Sequence, residues 1–120
     1  MLSLPASVQI YVCVPPTDMR RGFDGLAQIV RDQMGGDPLS GHLFVFRNKR
    51  GDRLKILYWD RDGLALWQKR LEHGTFRFPK AVGNSVSVTA AELAMILEGI
   101  DLVSARRHPR YAAGQVIARS

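Results

Sequence analysis

Residues 53–70 read RLKILYWDRDGLALWQKR. Two apolar, strand-forming halves flank Asp60-Arg61-Asp62-Gly63. Aspartates there can bond neighbouring backbone N–H groups, and Gly63 can take the positive φ that such a turn often needs. The expectation is an antiparallel hairpin, with Arg53–Trp59 paired to Leu64–Leu71. If the turn sets Trp59 opposite Leu64, then Leu57 meets Leu66, Lys55 meets Gln68 and Arg53 meets Arg70, all on one face. Leu54, Ile56, Tyr58, Ala65 and Trp67 share the other face, which has the composition of a core. The first face is then apolar near the turn and cationic at its far end. A slip of one residue would scatter those cations to both sides.

Working outward, His42–Phe46 is a short, nearly continuous apolar run, joined to the hairpin through the loop Asn48-Lys49-Arg50-Gly51-Asp52. Beyond the hairpin, Glu72-His73-Gly74 makes a turn and Thr75–Phe78 reads as a further strand before Pro79. Val8–Val14 is β-branched and aromatic and stops at Pro15-Pro16. Thr17 or Asp18 can cap the segment after it, where Phe23, Leu26, Ala27, Val30 and Met34 keep helical spacing up to Gly35-Gly36. Thr89 and Glu92 form the Ser/Thr-x-x-Glu capping box of a second helix, with Leu93, Ile96, Leu97 and Ile100 as its apolar stripe. The resulting expectation is a single α+β domain over residues 1–103. It consists of an antiparallel meander sheet packed with two helices, followed by a basic, flexible tail over residues 104–120.

The formal charge of +6 is unevenly placed. Residues 1–46 carry three arginines against four aspartates, and residues 81–120 four arginines against three acids. Residues 47–80 carry ten lysines or arginines against four acids, a local excess of +6. Thirteen of the seventeen cations are arginine, whose planar fork matches phosphate geometry. Arg47, Lys49, Arg50, Arg53, Lys55 and Arg70 therefore stand as candidate nucleic-acid-binding residues.

Catalytic signatures are weak by comparison. Asp60 and Asp62 have the spacing of a metal-binding pair, yet their place in a turn already explains both. His42, His73 and His108 lack metal-ligand spacing, no Gly-x-Ser-x-Gly elbow is present, and Cys13 is a lone cysteine. Trp59, Trp67, Phe76 and Phe78 could stack on bases, although large strand aromatics more often fill cores. The sequence has no run long and apolar enough for a membrane span, and Met1–Pro5 lacks the pattern of a signal peptide. The composition thus leads to a cytoplasmic, non-enzymatic protein with no cofactor, metal or small-molecule substrate.

Three segments together resemble a known family. They are TDMRRGFDGLA at 17–27, SGHLFVFRNKRGD at 40–52, and ILYWDRDGL at 56–64 continuing through KRLEHG at 69–74. They resemble the TnpB, or Orf2-like, accessory proteins of insertion-sequence family sixty-six, over about residues 5–108. Those proteins are unrelated to the RNA-guided nuclease that shares the TnpB name. The resemblance implies a bacterial accessory factor for DNA transposition, encoded beside a separate transposase that holds the acidic catalytic triad. It assigns no catalytic or binding residue to this chain. DNA, met through the basic sheet face, is the expected partner. The element's transposase is the alternative, with the chain acting as an adaptor.

Overall fold

The structure, a computed structural model, describes residues 4–99. Its strands are β1 (Ile10–Cys13), β2 (Leu43–Arg47), β3 (Arg53–Asp60), β4 (Gly63–Arg70) and β5 (Ser85–Val88). Its helices are α1 (Phe23–Asp32) and α2 (Ala90–Leu97). The five strands form one sheet in the order β4-β3-β2-β1-β5.

The α+β expectation holds, but the sheet is mixed rather than wholly antiparallel. β2, β3 and β4 form the expected meander, while β1 runs parallel to β2, with Ile10 beside Leu43 and Val12 beside Val45. Parallel neighbours need a long crossover, and the stretch containing α1 supplies it. β5 closes the other edge antiparallel to β1, with Val86 opposite Val12 and Val88 opposite Ile10. Its Ser-Val-Ser-Val alternation has the period of a half-buried strand, although its serines weaken the β signal.

Thr75–Phe78 is not a strand. The segment crosses the end of the β2–β3 loop, where Phe76 N–H donates to the Gly51 carbonyl at 2.7 Å and the Phe76 ring is buried. Gly51 has φ +78°, and a Cβ on it would sit 3.3 Å from Thr75 Cβ, so this crossing needs a glycine there.

Strand alternation sorts the apolar side chains into two cores. Ile10, Val12, Leu43, Val45, Leu54 and Ile56 face Leu93 and Ile96 of α2, with Phe76 among them. Cys13, Phe44, Phe46 and Leu57 face Leu26, Ala27, Ile29 and Val30 of α1. At the apolar end of the expected cationic face, Leu57 is therefore buried beneath α1 and Leu66 is half-buried against the same core.

The hairpin register is the expected one throughout: Arg53↔Arg70, Lys55↔Gln68, Leu57↔Leu66 and Trp59↔Leu64. The turn differs in detail. Gly63 pairs with Asp60 as the first residue of β4, and Arg61 takes the left-handed conformation at φ 56°.

Neither Thr17 nor Asp18 caps α1. Gly22 holds the N-cap position without a side-chain bond, and Thr17 is buried beside the end of β2. The α2 cap is as expected. Glu92 N–H donates to Thr89 Oγ1 at 3.0 Å, and Thr89 N–H donates to Glu92 Oε1 at 2.9 Å. The basic tail after residue 103 lies outside the described residues.

Replacing Thr89 by alanine should lower stability by about 1 kcal/mol, the usual size of a lost N-cap. A urea melt of the two proteins measures it as a shift in midpoint.

Candidate nucleic-acid interface

Two adjoining grooves cross the end of the hairpin remote from its turn. One, of about 410 Å³, is lined by Arg53, Lys55, Gln68 and Arg70 together with Met19 and Glu72. The other, of about 600 Å³, is lined by Asp18, Arg20, Lys49, Arg50, Asp52 and Arg53. They share Met19 and Arg53, so they form one depression.

Three parts of the chain build it. The β3–β4 register sets Arg53 and Arg70 side by side. Like charges directly opposite cost a few tenths of a kcal/mol or more, which the exposed Glu72 relieves by accepting from Arg70 Nη2 at 3.3 Å. The β2–β3 loop presents Lys49 and Arg50 and is held by its own polar residues. Asn48 Nδ2 donates to Asp52 Oδ1 at 2.7 Å, and Arg53 N–H donates to Asn48 Oδ1 at 3.0 Å. The Asn48 amide keeps the Asp52 carboxyl below its ordinary pKa, so the loop retains that anion as an internal tie.

The third part is the segment 17–21, which leads into α1. Thr17 N–H donates to the Arg47 carbonyl at 2.7 Å, docking the segment against the end of β2. Lys55 fixes its other side. Lys55 Nζ donates to the Met19 carbonyl at 2.8 Å and the Arg21 carbonyl at 3.1 Å. Between them Arg20 reaches back to Asp18, with Nη2 2.7 Å from Oδ2. The Arg20 guanidinium and backbone N–H hold the Asp18 carboxyl at a pKa of about 2, well below the usual carboxylate range.

The six residues singled out from sequence thus separate into three roles. Lys49, Arg50, Arg53 and Arg70 are exposed and line the depression. Lys55 lines it too, but its ammonium is half-buried and already bonded to two backbone carbonyls. Arg47 is on the opposite face. It alternates with Phe46 and so points to the α2 side, its guanidinium 5.0 Å over the Phe78 ring and its Nη2 donating to the Val14 carbonyl at 3.1 Å. Sequence reasoning missed Arg20, which lies in the TDMRRGFDGLA segment but 33 residues before Arg53. The Asp60–Asp62 turn sits at the far end of the hairpin, where Asp60 Oδ1 is 4.0 Å from Arg61 Nε.

The chain matches the family described as IS66 Orf2-like proteins over residues 8–107. It belongs to that family. Two uncharacterized proteins of Sinorhizobium fredii (strain NBRC 101917 / NGR234) are similar along nearly their full lengths. The protein y4hO is 39% identical over 110 residues, covering 92% of each chain. The protein y4jC is 37% identical over 109 residues, covering 91% of this chain and 93% of its own. No solved structure matches. IS66 Orf2-like membership carries an accessory role in transposition, in a family not known for catalysis. Among the described residues, no helix is long and apolar enough to cross a membrane.

Two measurements test this arrangement. Lys55→Met should lower stability by about 1–3 kcal/mol, since it removes a charged donor from two backbone carbonyls. Arg53→Gln, at an exposed site, should stay within about 0.5 kcal/mol of the parent. Denaturant titration of both proteins separates a pin from a surface charge. Asp18 should titrate near pH 2 by carboxyl NMR and return toward the ordinary range in Arg20→Gln. Because its folded pKa is depressed, the stabilisation it gives is present above the unfolded value. That stabilisation is lost as pH falls toward 2.

Proposed function

We propose that this IS66 Orf2-like protein serves transposition as a non-catalytic DNA-binding accessory that grips the phosphate backbone with its basic depression. The observation that carries the reading is the convergence of Arg20, Lys49, Arg50, Arg53 and Arg70 from three chain segments. Counting Lys55, the linings bring six cations to this face against Asp18, Asp52 and Glu72, a local net charge of +3, the Lys69 ammonium being turned to the Leu97 carbonyl on the α2 side. All three acids are engaged with neighbours in the same surface. The guanidinium and ammonium groups that remain are hydrogen-bond donors, suited to phosphate oxygens.

Such contacts position a duplex without reading its sequence. Each phosphate neutralised releases condensed counterions, so affinity should fall steeply with salt. Arg47 takes no part, and Lys55 contributes by holding Arg20 and its segment in place. The protein would act in the cytoplasm, where the element's DNA and its transposase are both accessible.

With about four phosphate contacts, log affinity against log salt should have a slope of roughly −4, at about 0.9 per contact. Replacing Lys49 and Arg53 together by glutamine should weaken binding to all duplexes and flatten the slope by about 2. Arg61→Gln, at the other end of the hairpin, should leave the slope unchanged. A fluorescence titration of the three proteins across a salt series makes the comparison. A wild type without salt dependence, or a greater loss in Arg61→Gln, overturns the assignment. Binding seen only when the element's transposase is added would transfer the surface to a protein partner.

A further inference from the structure

We propose that the open edge of β4 pairs with the same edge of a second copy of this chain, antiparallel and centred on Leu66. The inference is independent of the DNA reading, and its starting point is which backbone groups of the edge have no partner among the described residues. Leu71 N–H donates to the Asp52 carbonyl at 2.8 Å, continuing the β3–β4 register by one residue. In an antiparallel ladder, bonding alternates along the strand. The odd-numbered residues of β4 therefore bond inward to β3, while the N–H and C=O groups of Leu64, Leu66, Gln68 and Arg70 point to the open edge. No other described strand lies on that side.

The two edges of the sheet are unlike. β5 is four residues long, whereas β4 is eight residues long and pairs with β3 without a bulge. β4 contains no proline. Its lysine does not guard the edge, because Lys69 Nζ turns back to the Leu97 carbonyl at 3.4 Å. A long, regular, partly apolar edge without these protections is a template for another strand.

Symmetry and charge then select a register. A two-fold axis perpendicular to the sheet pairs residues of like parity, because facing side chains must share a side. Centring on Leu66 sets Leu66 beside its counterpart, Leu64 beside Gln68 and Ala65 beside Trp67. It also brings Asp62, the turn residue just before β4, towards Arg70 of the second copy, on both sides of the axis. Both groups are exposed. Centring one residue further, on Trp67, would instead oppose Asp62 to Glu72, anion against anion. Charge complementarity therefore favours the Leu66 register, which makes one ten-stranded sheet and brings both basic depressions to the same face. Such a narrow contact falls below the ~1,200 Å² of standard stable interfaces, so association should be weak and visible at high protein concentration.

The test is sedimentation equilibrium of the full chain without nucleic acid, up to on the order of 100 μM, a range suited to a weak interface. The wild type should show a monomer–dimer equilibrium. Asp62→Arg and Arg70→Asp should each weaken it at least several-fold by opposing like charges. The double exchange should restore it. A monomeric wild type, a dimer indifferent to both single exchanges, or a double exchange without recovery overturns the proposal. Amide exchange on the unmodified protein gives a second readout that needs no variant. The Leu64, Leu66 and Gln68 amides should exchange more slowly as concentration rises, while Ala65 and Trp67 should stay unchanged. Uniform behaviour of all five also overturns it.

Discussion

Everything in this molecule is arranged around the burial of β2 on both faces. Leu43, Phe44, Val45 and Phe46 are each 2% exposed or less. Leu43 and Val45 belong to the α2 core, while Phe44 and Phe46 belong to the α1 core. Full burial of a side chain of this size contributes ~1.5–3 kcal/mol, so four in succession make this strand the energetic centre. A strand buried on both sides must have pairing partners at both edges and a cover on each face. β1 and β3 supply the partners, and the two helices with Phe76 supply the covers.

That requirement places the basic depression. The α1 layer covers the sheet over Leu57 but not over Arg53, so the hairpin emerges from beneath the helix at its cationic end. The segment leading into α1 must pass that end, and Lys55 fastens it there. One side chain thus joins packing to function. By holding Met19 and Arg21 through their carbonyls, Lys55 sets Arg20 over the surface formed by Arg53 and the β2–β3 loop. The same alternation takes Arg47 to the other face, where its cation rests on Phe78.

The hairpin gives the sheet its second character, an edge. β3 is paired on both sides, but β4 has a partner on one side only among the described strands. Its exposure follows from strand order: the chain leaves β4 by crossing the β2–β3 loop and later adds β5 at the opposite end of the sheet. The apolar half of β4 near the turn and its cationic half beyond are therefore available to one surface at once.

Local information determined the parts that were legible in the sequence. A tight turn between two alternating strands fixes its own register, because loop length and side-chain period act over a few residues; hence Arg53 beside Arg70 could be read directly. The Thr89–Glu92 capping box is equally local, closing within one helical turn. The concentration of charge between residues 47 and 80 is a property of composition. Tertiary structure decided what depended on distant partners. The parallel pairing of β1 with β2 arises from a crossover of about thirty residues, and β5 is a strand because β1 offers it an edge. Thr75–Phe78 has strand composition, but the chain spends it on plugging Phe76 into a core. Whether Lys55 meets solvent or two carbonyls, and whether Arg47 joins the cations or leaves them, depended on which face each element covers. The physical reason is that backbone groups and apolar surfaces are satisfied by whatever packs against them, and here those neighbours lie more than thirty residues away.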